Sequence, residues 1–252
     1  MLAQARVATG LLEAESADRV GRGALGEAVQ ELGSDAPAWV VAARRRHLDP
    51  VPPKLPIRTE RLTLRPFTMA DLEDVLAYRG RADVVRYMLH EPFSRAEAKE
   101  AMHHWLVLDE SGNSLPADDP PHGQLRLAME LEGRVVGEAL VMLQPPSYSQ
   151  AELGWALHPD VAGRGLATEA ARILLEIAFD HFKVHRVFAN VDARNTSSRA
   201  LCERLGLRLE THARQNFWSK GEWTDSTLYA MLAENYAEMR STRTEPDSSI
   251  EA

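Results

Sequence analysis

Two glycines directly before a helix are the residues of this sequence with the clearest chemical use. They lie in Ala162-Gly-Arg-Gly-Leu-Ala-Thr168, between a predicted strand over Ala151–Leu157, which Pro159 and Asp160 stop, and an amphipathic helix. Glycines let a backbone approach a ligand closely, and the N–H groups of a first helical turn point outward at the positive end of the helix dipole. This order predicts a cradle for a phosphate or diphosphate group, although a plain strand-to-helix turn would use the same residues.

The glycine turn matches neither of the two common nucleotide-binding motifs, Gly-x-x-x-x-Gly-Lys-Ser/Thr and Gly-x-Gly-x-x-Gly. The second motif does occur at Gly21–Gly26, but no strand precedes it and no βαβ pattern surrounds it. We interpret that match as chance, so a nicotinamide enzyme that uses Gly21–Gly26 is a weak alternative.

Composition and charge exclude several classes of protein. The chain has 252 residues, of which 44% are hydrophobic and 26% charged, with a formal net charge of −8, which argues against nucleic-acid binding through phosphate contacts. The single cysteine, Cys202, excludes an internal disulfide, and no apolar run approaches the roughly 20 residues of a membrane span. We expect a cytoplasmic protein, monomeric or homodimeric, without nucleic-acid or membrane partners.

A proline-rich segment divides the chain. Residues 1–54 combine helical apolar spacing with a proline-rich linker, and predict a helical, partly disordered N-terminal extension. Residues 55–240 carry the patterns of one folded domain, interrupted by an acidic loop without periodicity at residues 110–123. Residues 241–252 predict a disordered tail.

The predicted order of elements is one strand, two helices, three strands, a helix, a strand, a helix and two strands, which indicates a mixed α+β sheet. Helices are expected to begin at Thr68, at Ser94 with Glu97 completing a capping box, after the glycine turn, and at Asn195. The predicted strands are Arg61–Arg65, Gln124–Glu130, Arg134–Leu143, Ala151–Leu157, His185–Val191, Leu207–Trp218 and Trp223–Leu232.

Over about residues 57–236 the chain resembles the GNAT superfamily of acyl-CoA-dependent N-acetyltransferases, and within it the Rim-type acetyltransferases of ribosomal-protein N-termini. The resemblance implies a mostly antiparallel central sheet flanked by helices. It also implies acetyl-CoA as co-substrate and direct acetyl transfer to a primary amine, either a protein N-terminal α-amine or a small-molecule amine. The motifs that carry it are Thr59-Glu-Arg-Leu-Thr-Leu-Arg65, Glu152-Leu-Gly-Trp155, Ala162-Gly-Arg-Gly-Leu-Ala-Thr-Glu-Ala170, Asn195-x-x-Ser198, Cys202-Glu-Arg-Leu-Gly206 and Lys220-Gly-Glu-Trp-x-Asp225.

The resemblance assigns cofactor contacts mainly to backbone groups. A backbone N–H within Trp155–His158, at or near Leu157, is expected to donate to the thioester oxygen. Asn195 resembles the family's asparagine beside the pantetheine, a role compatible with capping a helix. The diphosphate is expected to bind the N–H groups of Gly163, Arg164, Gly165, Leu166, Ala167 and Thr168.

Two side chains are candidates for proton transfer. Glu152 is our first choice as general base, acting through water, and strand parity places it on the face of Gly154 and Ala156. A structural glutamate paired with a basic neighbour is the alternative. Ser198 resembles the serine that returns a proton to the leaving thiolate, although a capping hydroxyl is the commoner use of such a residue. Trp218, Trp223 and Tyr148 are candidates for the acceptor-side rim or for core packing.

The sequence departs from the superfamily pattern at one catalytic position. The tyrosine that many superfamily members use as proton donor has no counterpart between Asn195 and Gly206. A catalytically silent acyl-CoA-binding sensor is therefore the alternative to an enzyme.

His181 and His185 do not form the His-Glu-x-x-His pattern of a zinc site, and no metal is predicted.

Overall fold

One mixed sheet organises the part of the chain that the computed structural model describes, residues 53–106, 124–144 and 149–244. Its eight strands lie in the order β1-β2-β3-β4-β5-β6-β8-β7, and every neighbouring pair is antiparallel except β5 with β6. This confirms the expected mixed, mostly antiparallel sheet. The strands are β1 Ile57–Arg58, β2 Thr63–Arg65, β3 Gln124–Leu131, β4 Arg134–Leu143, β5 Gln150–Leu157, β6 Arg186–Asp192, β7 Arg208–Ser219 and β8 Glu222–Leu232.

Helices cover both faces of the sheet. Short α2 and the longer α1 and α3 lie on one face, while α4, α5 and α6 lie on the other, as the two clusters of buried residues show. A π-helical turn, Ile177–His181, continues α4. The helices are α1 Leu72–Arg79, α2 Ala82–Val85, α3 Arg95–Trp105, α4 Leu166–Glu176, α5 Thr196–Arg204 and α6 Ala233–Thr244.

The apolar pattern of the strands explains why the sheet is covered twice. On β3, Leu125, Leu127 and Met129 join the core beneath α4, while Ala128 joins the core beneath α1 and α3. Side chains alternate between the two faces of a strand, so an almost continuous apolar run requires a cover on each side. α4 supplies one cover with its buried apolar side, which includes Leu174.

Helix starts follow the predicted signals closely. The Ser94 Oγ accepts a hydrogen bond from the Glu97 N–H at 3.3 Å, and the Ser94 N–H donates to Glu97 Oε2 at 2.8 Å, which confirms the capping box. Asn195 caps α5, and Gly206 follows that helix with φ +85°.

The structure adds three elements that the sequence patterns did not indicate: β1, α2 and α6. Helix α6 continues to Thr244 and so includes residues 241–244, which the sequence placed in the tail. The predicted N-terminal extension up to residue 52, the motif Gly21–Gly26 and the acidic loop lie outside the described residues. None of the helices in the described ranges is long and apolar enough to cross a membrane.

Candidate active site

The sheet opens between its two parallel strands. β5 and β6 pair at Gln150 with Arg186, at Ala151 with Val187 and at Glu152 with Phe188, and their pairing ends there. Both strands continue, β5 to Leu157 and β6 to Asp192. We call the gap between the unpaired parts of β5 and β6 the wedge, with Glu152 at its vertex.

Backbone donors of β5 point into the wedge. The His158 N–H donates to the Val136 carbonyl at 2.7 Å, and β4 and β5 keep a continuous antiparallel register from there to Ala151. Because successive residues of an antiparallel strand direct their N–H groups to opposite sides, those of Trp155 and Leu157 are directed away from β4 and toward the wedge. Leu157, one of the residues predicted to contact the cofactor, thus directs its backbone N–H toward the wedge.

The glycine turn lies a few residues beyond the end of β5. Gly163 has φ +74° and Gly165 has φ +79°, a left-handed conformation that glycine adopts without steric cost. Gly165 is the N-cap of α4, so the N–H groups of Leu166, Ala167 and Thr168 belong to the first turn of that helix. A Cβ built on Gly163 would have no atom within 4 Å, so the turn presents open space to a ligand. This geometry fits a diphosphate.

Glu152 is buried at the vertex of the wedge, with 5% of its surface exposed. Ala151 and Leu153 join the core on the α4 side and Ala156 joins the opposite core, which confirms the predicted parity of the strand. Burial raises the pKa of Glu152, and a hydrogen bond with Asn190 on β6 offsets part of that rise. A carboxyl group whose pKa is raised can take up a proton near neutral pH more readily than an ordinary one.

The N-terminus of α5 is tied to β5 beside the wedge. Asn195 Oδ1 accepts from the Ser198 N–H at 3.1 Å, so Asn195 is the capping residue. The Ser198 hydroxyl instead accepts from the Trp155 indole N–H at 3.3 Å. The structure thus brings Ser198 and Asn195 together with β5, and the predicted site residues lie around one opening.

Comparison with known proteins decides the family. Residues 61–208, more than half of the chain, match the model of the acetyltransferase (GNAT) domain. The chain belongs to the GNAT acetyltransferase family. It is therefore an N-acetyltransferase, and the α+β arrangement described above is the GNAT fold.

This chain matches several known proteins over almost their whole length. The uncharacterized N-acetyltransferase YnaD of Bacillus subtilis (strain 168) is 27% identical over 180 residues, which are 71% of this chain and 98% of YnaD. The structure of spermidine N-acetyltransferase from Vibrio cholerae, in complex with CoA and spermine, has a TM-score of 0.59 at 20% identity and covers 71% of this chain and 99% of that one. A proposed ribosomal-protein-serine acetyltransferase from Vibrio cholerae has a TM-score of 0.58 at 21% identity, with 72% and 99% covered. At identities of 20% and 21%, the likeness to these two structures shows the fold alone.

An arginine that the sequence reasoning missed supports the glycine turn of this GNAT enzyme. Arg61 lies just before β2, and its Nη1 donates to the Arg164 carbonyl at 2.7 Å. Its Nε donates to Glu169 Oε2 in the first turn of α4 at 2.8 Å. Arg61 and Glu169 each belong to a motif that carries the family resemblance, and this is the sequence signal that could have found them. No local pattern indicates that the two motifs are in contact.

A buried charged cluster on the α1 and α3 side was also missed. Glu138 on β4 forms ion pairs with Arg79 of α1 and Arg126 of β3, and it accepts from the Tyr78 hydroxyl at 3.1 Å. Burial alone would raise the pKa of Glu138, but the two guanidinium groups outweigh it and bring the pKa to about 2. Glu138 pairs in register with Ala156, so the cluster lies beside β5, the strand that borders the wedge.

The β7–β8 hairpin carries two of the residues predicted for the acceptor-side rim, and it contacts α2. Lys220 Nζ donates to the Val85 carbonyl of α2 at 2.7 Å and joins the hairpin to the other half of the domain. Trp218 and Trp223 are 57% and 58% exposed, with ring centroids 5.5 Å apart, so they lie on the surface and not in the core. Tyr148, the third predicted rim residue, lies outside the described residues.

Cys202 has the character expected of a core residue. Its side chain is fully buried on α5, and burial raises the pKa of the thiol to about 12. The thiolate that a nucleophilic cysteine needs is therefore suppressed. Among the described residues, no group of three or more His, Cys, Asp and Glu side chains is arranged to hold a metal ion.

Proposed function

We propose that this GNAT enzyme transfers the acetyl group of acetyl-CoA directly to the α-amine of a protein N-terminus, as the Rim-type acetyltransferases do. The observation that carries the proposal is the alignment of three features along β5. A buried glutamate lies at the vertex of the wedge, inward-directed N–H groups follow it, and a glycine turn lies beyond the strand end.

The cofactor would lie in the wedge with its diphosphate on the glycine turn. The N–H groups from Gly163 to Thr168 would hold the diphosphate oxygens, and the Arg164 side chain would add a positive charge. The pantetheine arm would pair with β5 as an added strand, through groups such as the Leu157 N–H. Asn195 would contact the same arm from the start of α5.

The chemistry requires a neutral amine and a stabilised oxyanion. The amine nitrogen attacks the thioester carbonyl carbon, and a β5 N–H donates to the oxygen as it gains negative charge. Glu152 accepts the proton that the amine loses, through a bridging water. As the carbon–sulfur bond breaks, the thiolate takes a proton from the Ser198 hydroxyl, which regains one from solvent. The products are the acetylated amine and free CoA.

The pKa of the acceptor favours an α-amine. An α-amine has a pKa of roughly 8 and a lysine amine roughly 10.4, so a far larger fraction of the α-amine is neutral at pH 7. A small-molecule amine is the other acceptor class, because a spermidine N-acetyltransferase shares the fold. The two classes call for the same catalytic groups and differ in what lies on the acceptor side.

Thiol release from acetyl-CoA with a panel of amines tests the proposal. The panel contains ribosomal-protein N-terminal peptides, the same peptides with a blocked N-terminus, free lysine and spermidine. We expect CoA release with unblocked peptides and none with blocked ones, and mass spectrometry should locate the acetyl group on the first residue. Turnover with spermidine alone would move the acceptor to the small-molecule class. Absence of release with every amine would refute the proposal.

A further inference from the structure

Among the described residues, the glycine turn receives few backbone hydrogen bonds of its own, such as that of the Ala162 N–H to the Pro159 carbonyl at 3.0 Å. Two of its three central residues, Gly163 and Gly165, are in the left-handed region. The Glu169 N–H donates to the Gly165 carbonyl at 3.0 Å, which begins the regular hydrogen bonding of α4. The N–H groups before it are those that a ligand would take, so they cannot also be used to hold the turn in shape. Support has to come from another part of the chain.

Arg61 supplies that support from two sides. Its Nη1 bonds the Arg164 carbonyl inside the turn, and its Nε and backbone N–H bond the two oxygens of Glu169 at 2.8 and 2.9 Å. A Cβ on Gly165 would lie 3.6 Å from Arg61 Nη2, so the guanidinium group lies against the turn. We call Arg61, Glu169 and the Arg164 carbonyl the clamp.

The clamp is anchored in the core. Thr59 also donates to Glu169, and the Thr59 N–H donates to the Leu62 carbonyl at 2.9 Å, which closes a short turn around Arg61. Leu62 is 2% exposed and belongs to the core beneath α4. Arg61 is therefore held by the body of the sheet and can transmit that rigidity to the turn.

The charge of Glu169 gives the clamp a second effect. Burial raises the pKa of Glu169, but hydrogen bonds from Thr59 and Arg61 outweigh it and keep the pKa below its ordinary value. The carboxylate is thus ionised, one helical turn from the N–H groups that would bind a diphosphate. Without a neutralising cation it would repel that anion.

We propose that Arg61 is a positioning residue for cofactor binding, which preforms the diphosphate turn through the Arg164 carbonyl and neutralises Glu169 beside it. The proposal rests on the acetyl-CoA site proposed above. It predicts that Arg61 acts on CoA affinity and not on the chemical step, because it lies at the far end of the cofactor from the thioester.

Calorimetry with free coenzyme A tests the proposal on the full chain. We expect Arg61→Ala to raise the Kd of CoA by about tenfold or more, while kcat at saturating acetyl-CoA changes by less than about threefold. Arg58→Ala is the matched control, because Arg58 is an exposed arginine on the neighbouring β1. Its Kd should stay within about twofold of the wild type.

A double variant separates charge from general damage to the fold. Removing Glu169 in the Arg61→Ala background takes away the repelling carboxylate, so Arg61→Ala/Glu169→Ala should bind CoA at least about threefold more tightly than Arg61→Ala. A purely structural loss would make the double variant bind as weakly as the single one or more weakly. Arg61→Lys should be intermediate, since it keeps the charge and loses the fork that reaches both partners.

The outcomes are distinguishable. An Arg61→Ala protein that binds CoA as tightly as the wild type would overturn the role of Arg61, and a double variant without recovery would overturn its neutralisation of Glu169. Both results would leave the proposed function intact. A wild-type protein that gives no heat with CoA would overturn the cofactor site and this proposal together. Thermal unfolding of each variant identifies any that fails to fold, and Arg61→Lys then carries the comparison.

Discussion

Replacing Gly163 by alanine separates the role of the glycine turn in binding from its role in folding. A Cβ at Gly163 would meet no atom within 4 Å, so the cost to the free protein is the strain of placing an L-residue at φ +74°. That strain amounts to roughly 1 kcal/mol. For a folded unit of this size, we expect the midpoint of thermal unfolding to fall by about 2–4 °C.

The expected cost to CoA binding is larger. The added methyl group would occupy the space where the diphosphate approaches the Gly163 and Arg164 N–H groups. Loss of one hydrogen bond to a charged group costs about 1.5–3 kcal/mol, which corresponds to roughly a 10- to 150-fold rise in Kd. Isothermal titration with CoA measures this effect directly, on protein that is still folded.

The chain offers a matched control in Gly133, in the turn between β3 and β4. Gly133 has φ +80°, and a Cβ there would also meet no atom within 4 Å, so Gly133→Ala carries a similar strain away from the site. Both variants should lose similar stability, and only Gly163→Ala should lose CoA affinity. Equal Kd values for the two variants would contradict the assignment of the turn.

Three further perturbations test other parts of the site. Glu152→Gln should lower kcat by at least about tenfold with little change in CoA affinity. In the wild type, kcat should fall as the pH drops through the raised pKa of Glu152, and Glu152→Gln should abolish this pH dependence. Glu138→Gln should lower the free energy of unfolding in urea at pH 7 by about 3 kcal/mol, because Arg79 and Arg126 lose their partner. Because its pKa is lowered, the ionised Glu138 carboxylate stabilises the fold at pH values above the ordinary carboxyl pKa, and this stabilisation is lost as the carboxylate is protonated. The difference in unfolding free energy between the wild type and Glu138→Gln should therefore shrink as pH falls from 4.5 toward about 2, and a constant difference would contradict the prediction. Lys220→Ala should raise the KM of a peptide acceptor roughly 2- to 10-fold without changing the Kd of CoA, because it frees the hairpin from Val85; an unchanged KM would remove the hairpin from the acceptor site.

The sequence predicted those elements whose apolar pattern is long and regular. Strands β3, β4, β5 and β8 and helix α4 each offer eight or more residues of consistent periodicity, and their observed bounds lie close to the predicted ones. Strand β1 has two residues and α2 has four, which is too short for a period to emerge. Helix α6 depends on a tertiary contact, since Tyr236 stacks on Phe179 with ring centroids 4.7 Å apart.

The same distinction between local pattern and tertiary contact applies to the residues of the candidate site. Gly163 and Gly165 could be predicted because their residue type and position before a helix determine the backbone they can form. The face of Glu152 followed from strand parity, but its burial and raised pKa depend on β6, which is distant in sequence. The contact of Arg61 with Glu169 spans 108 residues and carries no local pattern.

The position of the site follows from one feature of the topology. Among the described strands, β5 and β6 are the one parallel pair, and parallel neighbours need a crossover, which α4 provides. A crossover helix that leaves the end of β5 places its N-terminus beside that strand end, where the wedge is widest. The proposed diphosphate site and the open strand edge proposed for the pantetheine are thus consequences of the same connection. This connection places no such constraint on the acceptor, so we expect its identity to depend on α2, the β7–β8 hairpin and the exposed Trp218 and Trp223. Relatives with one fold can therefore differ in acceptor, and exchange of the hairpin is the change through which the acceptor class would move.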